Sequence, residues 1–307
     1  MKKDRLAKLS RLYGKLEPFY KKSRKDRAEQ EMMFQNCVRA SFAKAYEFNV
    51  LVNSSQNLPF FFLTAGLRSI CDDLILLKYL SHFAAGNRNN FIQLLMMHKV
   101  LTNLKTQQKF FAENRPFQLV LPVQKNDEHQ IDKVVADLQA FWKTRGWTLS
   151  GKAIQPQIRQ LAERRGIAVL YDFIYRITSD VVHFNPQVLL RSGWGEKFPD
   201  AEFSTKNFEP YYKAVAVIYG SFLFCVYFEL LHAHLKPMTK IRCIVAKIKA
   251  AIHSENRWPE LVTFEEMNLK PPHSPILHVL SRIIFEQENP GFGRRLLQRK
   301  RPVSQSG

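Results

Sequence analysis

The run AVAVIYGSFLFCVYF, residues 214–228, has no charged side chain on any face. A helix of that composition is apolar all round, so it must be surrounded by other elements or by lipid. Glu229 ends the run after 15 residues, short of the roughly 20 needed to span a bilayer. The pattern then continues through LLHAHLK. A buried core helix over about 208–235 is therefore expected, and no membrane span. Such a helix constrains the rest of the chain, which must supply amphipathic partners to cover it.

The rest reads as such partners. Apolar residues recur at three- and four-residue spacing through DRLAKLSRLYGKLEPFYKK and AEQEMMFQNCVRASFAKAYEFNVLV, with charge on the opposite face. One almost wholly apolar helix is expected over 60–83, broken by AAGNRNN. Further helices are expected from Phe91 to Arg115, from Asp132 to Lys143, and in AIQPQIRQLAERRG, which Gly166 would end as a C-cap. The next helix must stop near Phe184, because Asn185 precedes Pro186 and is pushed out of the α region. Two shorter helices, TKIRCIVAKIKAAIHS and SPILHVLSRIIFEQ, follow the core helix. There is no strand-like alternation, internal repeat or Gly-rich phosphate loop. The fold class is all-α. It divides into a basic N-terminal helical region (1–50), a helical bundle (51–235) and a C-terminal helical extension with a basic tail (236–307).

The formal net charge is +19 and the pI near 9.8, a field that attracts polyanions, nucleic acid above all. The charge is concentrated at the ends. Residues 1–50 and 236–307 each hold 13 Lys/Arg against 6 Asp/Glu, leaving +5 for the middle. Cys37, Cys71, Cys225 and Cys243 are far apart and form no C-x-x-C pair. That spacing suggests neither a disulfide framework nor a zinc ribbon, and fits free thiols in a reducing cytoplasm. The basic N-terminus lacks the apolar core of a secretory signal.

Metal chemistry finds little support. His232 and His234 are two apart, so on a helix their rings diverge. No H-E-x-x-H occurs, and Asp72 and Asp73 are adjacent rather than on one face. No G-x-S-x-G serine motif is present. No metal and no cofactor are expected.

What stands out is YDFIYRITSDVVHFNP, residues 171–186. Tyr171, Tyr175, Ser179 and His183 are each four apart, and Arg176 and Asp180 run beside them. Residues at that spacing share one helix face, so the stripe gathers more donors and acceptors than a core-filling helix needs. Arg176 and His183 are seven apart, almost two turns, and lie on one side. Hydrolysis of RNA without metal needs little more than such a pair. An imidazole takes the proton of a ribose 2′-OH or gives one to the 5′-oxygen. A guanidinium neutralises charge growing on the phosphorane oxygens. The products would be a 2′,3′-cyclic phosphate and a 5′-OH end.

Arg176…His183 resembles the R-x4-6-H signature of the HEPN superfamily (higher eukaryotes and prokaryotes nucleotide-binding). The wider pattern is similar to an uncharacterised bacterial helical family. That family has an Arg-x3-Glu helix, a Trp/Gly turn and a Tyr-x3-Tyr-x3-Ser-x3-His helix. The corresponding residues here are Arg68 with Asp72, Trp147 with Gly151, and Tyr171, Tyr175, Ser179 and His183 before Asn185-Pro186. The likeness covers about residues 40–235. Two features depart from the nuclease pattern: Ile177 follows the arginine where a polar residue is usual, and the spacing is at its long limit. The resemblance implies a HEPN-like bundle with extra N- and C-terminal helices. It also implies a metal-independent endoribonuclease or RNA-binding effector of a bacterial toxin or phage-defence system. Implied partners are RNA, a second copy of the chain, and an antitoxin or second defence protein. His183 would be the acid or base, Arg176 would stabilise the transition state, and Ser179 or Asp180 would orient them. Arg68, Tyr175 and Asn185 would contact substrate.

Three other readings stay open. The same polar residues could form a buried structural network joining two helices, since buried charges must be paired. The bundle could be a non-catalytic module that binds nucleic acid or a partner. The basic ends could instead hold the chain on a membrane surface.

Overall fold

The computed structural model describes residues 3–25, 33–54, 57–122, 125–183, 185–191, 203–235, 239–255 and 257–263. The chain divides into two units, Met1–Pro259 and Glu260–Gly307. Only 260–263 of the second are described, so the expected helix SPILHVLSRIIFEQ and the basic tail lie outside the described residues. Among the described residues there are eleven helices and no strand.

The first unit is built round the apolar helix. Here it is α10, Glu209–Leu235, and α2 (Met33–Ser54), α3 (Phe60–Thr64), α4 (Gly66–Leu80) and α11 (Thr239–His253) pack on it. Its length and apolarity would suit a membrane crossing, but 72% of its most apolar window is buried by these neighbours. The most extensive contact is with α2, and Gly220 lets the two helices come close there. A Cβ there would sit 2.7 Å from Phe48 Cε1 and 3.1 Å from Asn49 Oδ1. The contact is fastened by polar groups that the helices' own ladders leave spare. Buried Asn49 donates from Nδ2 to the Gly220 carbonyl at 3.0 Å and to the Ala45 carbonyl at 2.8 Å. Ser221 Oγ donates to Asn49 Oδ1 at 3.2 Å, so the amide is satisfied on both ends. Tyr227 OH donates to the Val38 carbonyl at 2.6 Å.

α1 (Lys3–Lys25) lies on α2 and α11 through buried Leu9, Tyr13, Leu16 and Tyr20. Its lysines and arginines are mostly on the outer face, as amphipathic spacing requires. The helix expected over 60–83 is divided at Ala65 into α3 and α4, where i→i+3 hydrogen bonds tighten the backbone without leaving the right-handed region. AAGNRNN does not break the chain. α5 starts at Ala85 and runs through it to Asn114, and the break is confined to 81–84. α6, Lys125–Lys143, starts seven residues before the expected Asp132.

α5 and α6 form a hairpin whose ring cluster, Phe91, Phe141 and Trp142, anchors it near α4. A second anchor sets the next two helices. Trp147 Nε1 donates to Tyr79 OH on α4 at 2.8 Å, and the Arg164 guanidinium lies 3.6 Å from the Trp147 ring centroid. α7 (Ile158–Arg164) and α8 (Ala168–Val182) are thereby laid along α4. Gly166, at φ +70°, makes the left-handed turn between them, as its position in the sequence implies.

Candidate functional site

α8 buries Ile174, Ile177 and Thr178 and turns the Tyr171–Tyr175 flank toward α4. Its apolar stripe explains the burial, and the i, i+4 ladder explains why the tyrosines leave it together. The two rings stand 5.5 Å apart. Arg68, from the first turn of α4, reaches across. Its guanidinium lies 4.4 Å from the Tyr175 ring centroid, within cation–π range. Its Nη1 is 3.3 Å from His183 Nε2. A guanidinium can only donate, so as a hydrogen bond this contact requires Nε2 to be the acceptor.

The ladder's last rung is not on the helix. α8 ends at Val182, and His183 is the C-cap in an extended conformation, φ −111° and ψ 163°. Its N–H is held by the Ser179 carbonyl at 2.9 Å. The helix stops earlier than Phe184 because a new one begins immediately. Asn185 Oδ1 accepts the Gln187 N–H at 2.9 Å and caps α9, Pro186–Arg191, with Pro186 in the first helical position. The chain must leave the α region to make that cap, and His183 is swung outward, exposed, at the junction.

The carboxylate beside Arg68 is a poor partner. Asp72 Oδ2 is 4.0 Å from Arg68 Nε, at the limit of an ion pair, and Asp72 Oδ1 is buried with no hydrogen-bond partner. Burial pushes the Asp72 carboxyl above its usual range, and Arg68 only partly opposes this. Asp73, next door, is instead held by Lys44 at 2.6 Å. Burial and the neighbouring Asp72 raise the Tyr171 phenol to about 12. Arg68 is thus attached to a ring face and an imidazole more closely than to its nominal counter-ion.

The structure therefore brings together Arg68, Tyr175 and His183, with Tyr171 and Asp72 behind them. Ser179 joins through its backbone. Asn185 has a structural task, the α9 cap. Arg176 projects from the side of α8 opposite Ile174, exposed, with no hydrogen bond or ion pair among the described residues. No hydrogen bond joins it to His183, and both are open to solvent. Asp180 continues α8, and its side chain lies outside the described residues. The Arg68–His183 contact spans 115 residues, and no spacing rule could have found it. Among the described residues no three His, Cys, Asp or Glu side chains gather where they could hold a metal ion.

A family described as "Family of unknown function (DUF5677)" matches residues 32–199, more than half of the chain, a range that includes Arg68 and His183. No curated protein and no solved structure matches the chain. The chain belongs to the DUF5677 family.

Proposed function

We propose that this DUF5677 member binds RNA at the end of α8 and cleaves it without a metal, in a HEPN-like bundle. The observation that carries the reading is the pairing of an exposed imidazole with a guanidinium that lacks a close carboxylate partner. His183 accepts the proton of a ribose 2′-OH. The 2′-oxygen bonds to phosphorus as the bond to the 5′-oxygen breaks, and a proton is returned to that 5′-oxygen. The growing negative charge on the phosphorane is met by Arg68, whose fork suits two oxygens at once. The exposed Arg176 grips the same or an adjacent phosphate. Tyr175 holds Arg68 flat and offers a ring edge to a base. The net charge of +19 favours a polyanionic substrate. The setting is a cytoplasmic effector of a bacterial toxin or defence system, with a second copy or an antitoxin as partner.

Substitution tests it. His183→Ala and Arg68→Ala should each lower cleavage of RNA by at least about 100-fold, the usual worth of a positioned proton-transfer group or charge stabiliser. Helical content by circular dichroism should be unchanged, since His183 is exposed and Arg68 partly so. Arg68→Lys should recover little, because a point charge lacks the fork. If the purified chain binds RNA but the variants bind and cut as it does, α8 is a structural element and the binding module reading takes over.

A further inference from the structure

A second feature lies away from α4 and α8. α1, α2, α10 and α11 converge on a cleft of about 650 Å³, within the usual range of small-molecule sites. Four cations line it: Lys15, Lys22, Arg39 and Lys240. No carboxylate does so among the described residues. Among the described residues the three lysines make no ion pair or hydrogen bond, whereas Lys21, one position from Lys22 on α1, is paired with Glu17 at 2.7 Å. Glu17 is thus directed elsewhere, and among the described residues Lys15, Lys22 and Lys240 have no carboxylate partner.

Much of the remaining wall is apolar. Leu235, Ile241 and Ile244 are buried in it, with Phe19 backed by Phe42 at 5.7 Å. The hydroxyl and the amide in the wall are already engaged. Ser23 Oγ donates to the Tyr20 carbonyl at 2.8 Å, and Gln35 Nε2 donates to the His234 carbonyl. His234 is held below the usual imidazole range by burial and by the positive charge of Arg88 and Lys78. That shift favours its neutral form, so the positive field of the cleft comes from the lysines and Arg39. A nucleobase would find its edge poorly read here. An aliphatic chain would find contact, and an anionic head would find three unpaired ammonium groups.

We propose that this cleft binds a small amphipathic anion, an alkyl or acyl chain ending in phosphate or carboxylate, with the head on Lys15, Lys22 and Lys240 and the chain against Ile241, Ile244 and Phe19. The site is independent of the RNA reading.

The test uses the full chain and dodecyl phosphate below its micellar concentration, followed by calorimetry. The expected result is saturable binding at one per chain. Dodecyltrimethylammonium, with the same tail and a reversed charge, and inorganic phosphate, with no tail, should both bind at least tenfold more weakly. Lys15→Gln/Lys22→Gln/Lys240→Gln should weaken dodecyl phosphate at least tenfold. Those lysines are exposed, so folding should survive. Ala233→Trp, at an exposed wall position, should block the cleft sterically without removing charge. Vesicles containing phosphatidic acid separate the sources. Flotation lost in the triple lysine variant points to a membrane-borne head, and flotation unchanged by it points to a free amphiphile. Equal dodecyl phosphate binding by the native chain, the triple variant and Ala233→Trp, or binding at many per chain, would overturn the proposal.

Discussion

Asp72 shows how burial can outweigh an opposite charge at a single residue. Its carboxyl is raised by desolvation, and the Arg68 guanidinium 4.0 Å away does not restore it. An acid whose folded pKa is raised binds its proton more tightly when folded. Its contribution favours the native state at low pH and is lost as pH rises through the folded value. Asp72→Asn removes the ionisation cost, so the variant should be at least as stable as the native chain at pH 7. That advantage should shrink as pH falls toward the ordinary carboxylate value of 3.8. Urea midpoints across pH 4 to 7 check this. A variant less stable at pH 7 would mean that the Arg68 contact outweighs burial. His183 makes the opposite point about legibility. Its place at the end of a four-residue ladder is plain in the sequence, and so is the Pro186 that limits the helix. That it leaves the helix altogether, and meets Arg68 rather than Arg176, depends on the Asn185 cap and on α4, which spacing does not encode.

At the scale of elements, local signals carried far. Gly166 ends α7 in the left-handed region, and the apolar run became α10. The expectations that failed were those where tertiary packing decides. α5 runs through Gly86 and the asparagines after it because its first turns are anchored from outside. Asn89 Oδ1 accepts the Phe34 N–H at 3.0 Å, Arg88 lies over the Phe34 ring, and Phe91 is buried with Trp142. The α2–α10 crossing was equally invisible, since nothing local marks Gly220 as a close approach. Gly220→Ala should destabilise the chain by about 1–3 kcal/mol, the usual cost of forcing a methyl into a filled contact, because the new Cβ meets the Phe48 ring at 2.7 Å. Chemical denaturation measures it. A neutral outcome would mean that Phe48, which is only half-buried, swings aside freely. Trp147→Phe keeps a ring over Arg164 but loses the donor to Tyr79. It should cost about 0.5–1.5 kcal/mol, read from the unfolding transition followed by circular dichroism.

For the whole molecule, net charge and apolar core are unevenly distributed along the sequence. The apolar α10 is enclosed by the helices of the first unit, and most of the positive charge lies in the terminal segments, +7 at 1–50 and +7 at 236–307. If those ends track the phosphate backbone while α8 acts on the strand, deleting residues 291–307 should lower RNA affinity and flatten its salt dependence, since fewer counterions are released. The first unit should keep its helical content. An unchanged salt slope would confine RNA contact to residues 1–290.

The central claim, that Arg68 and His183 form a site for metal-independent RNA cleavage, is tested most directly by the end groups of the products. RNA incubated with the full chain in excess EDTA should give 2′,3′-cyclic phosphate and 5′-OH ends, and a substrate with a single 2′-deoxy at the scissile position should stay intact. Cleavage that vanishes in EDTA, or products with 5′-phosphate ends, would contradict it.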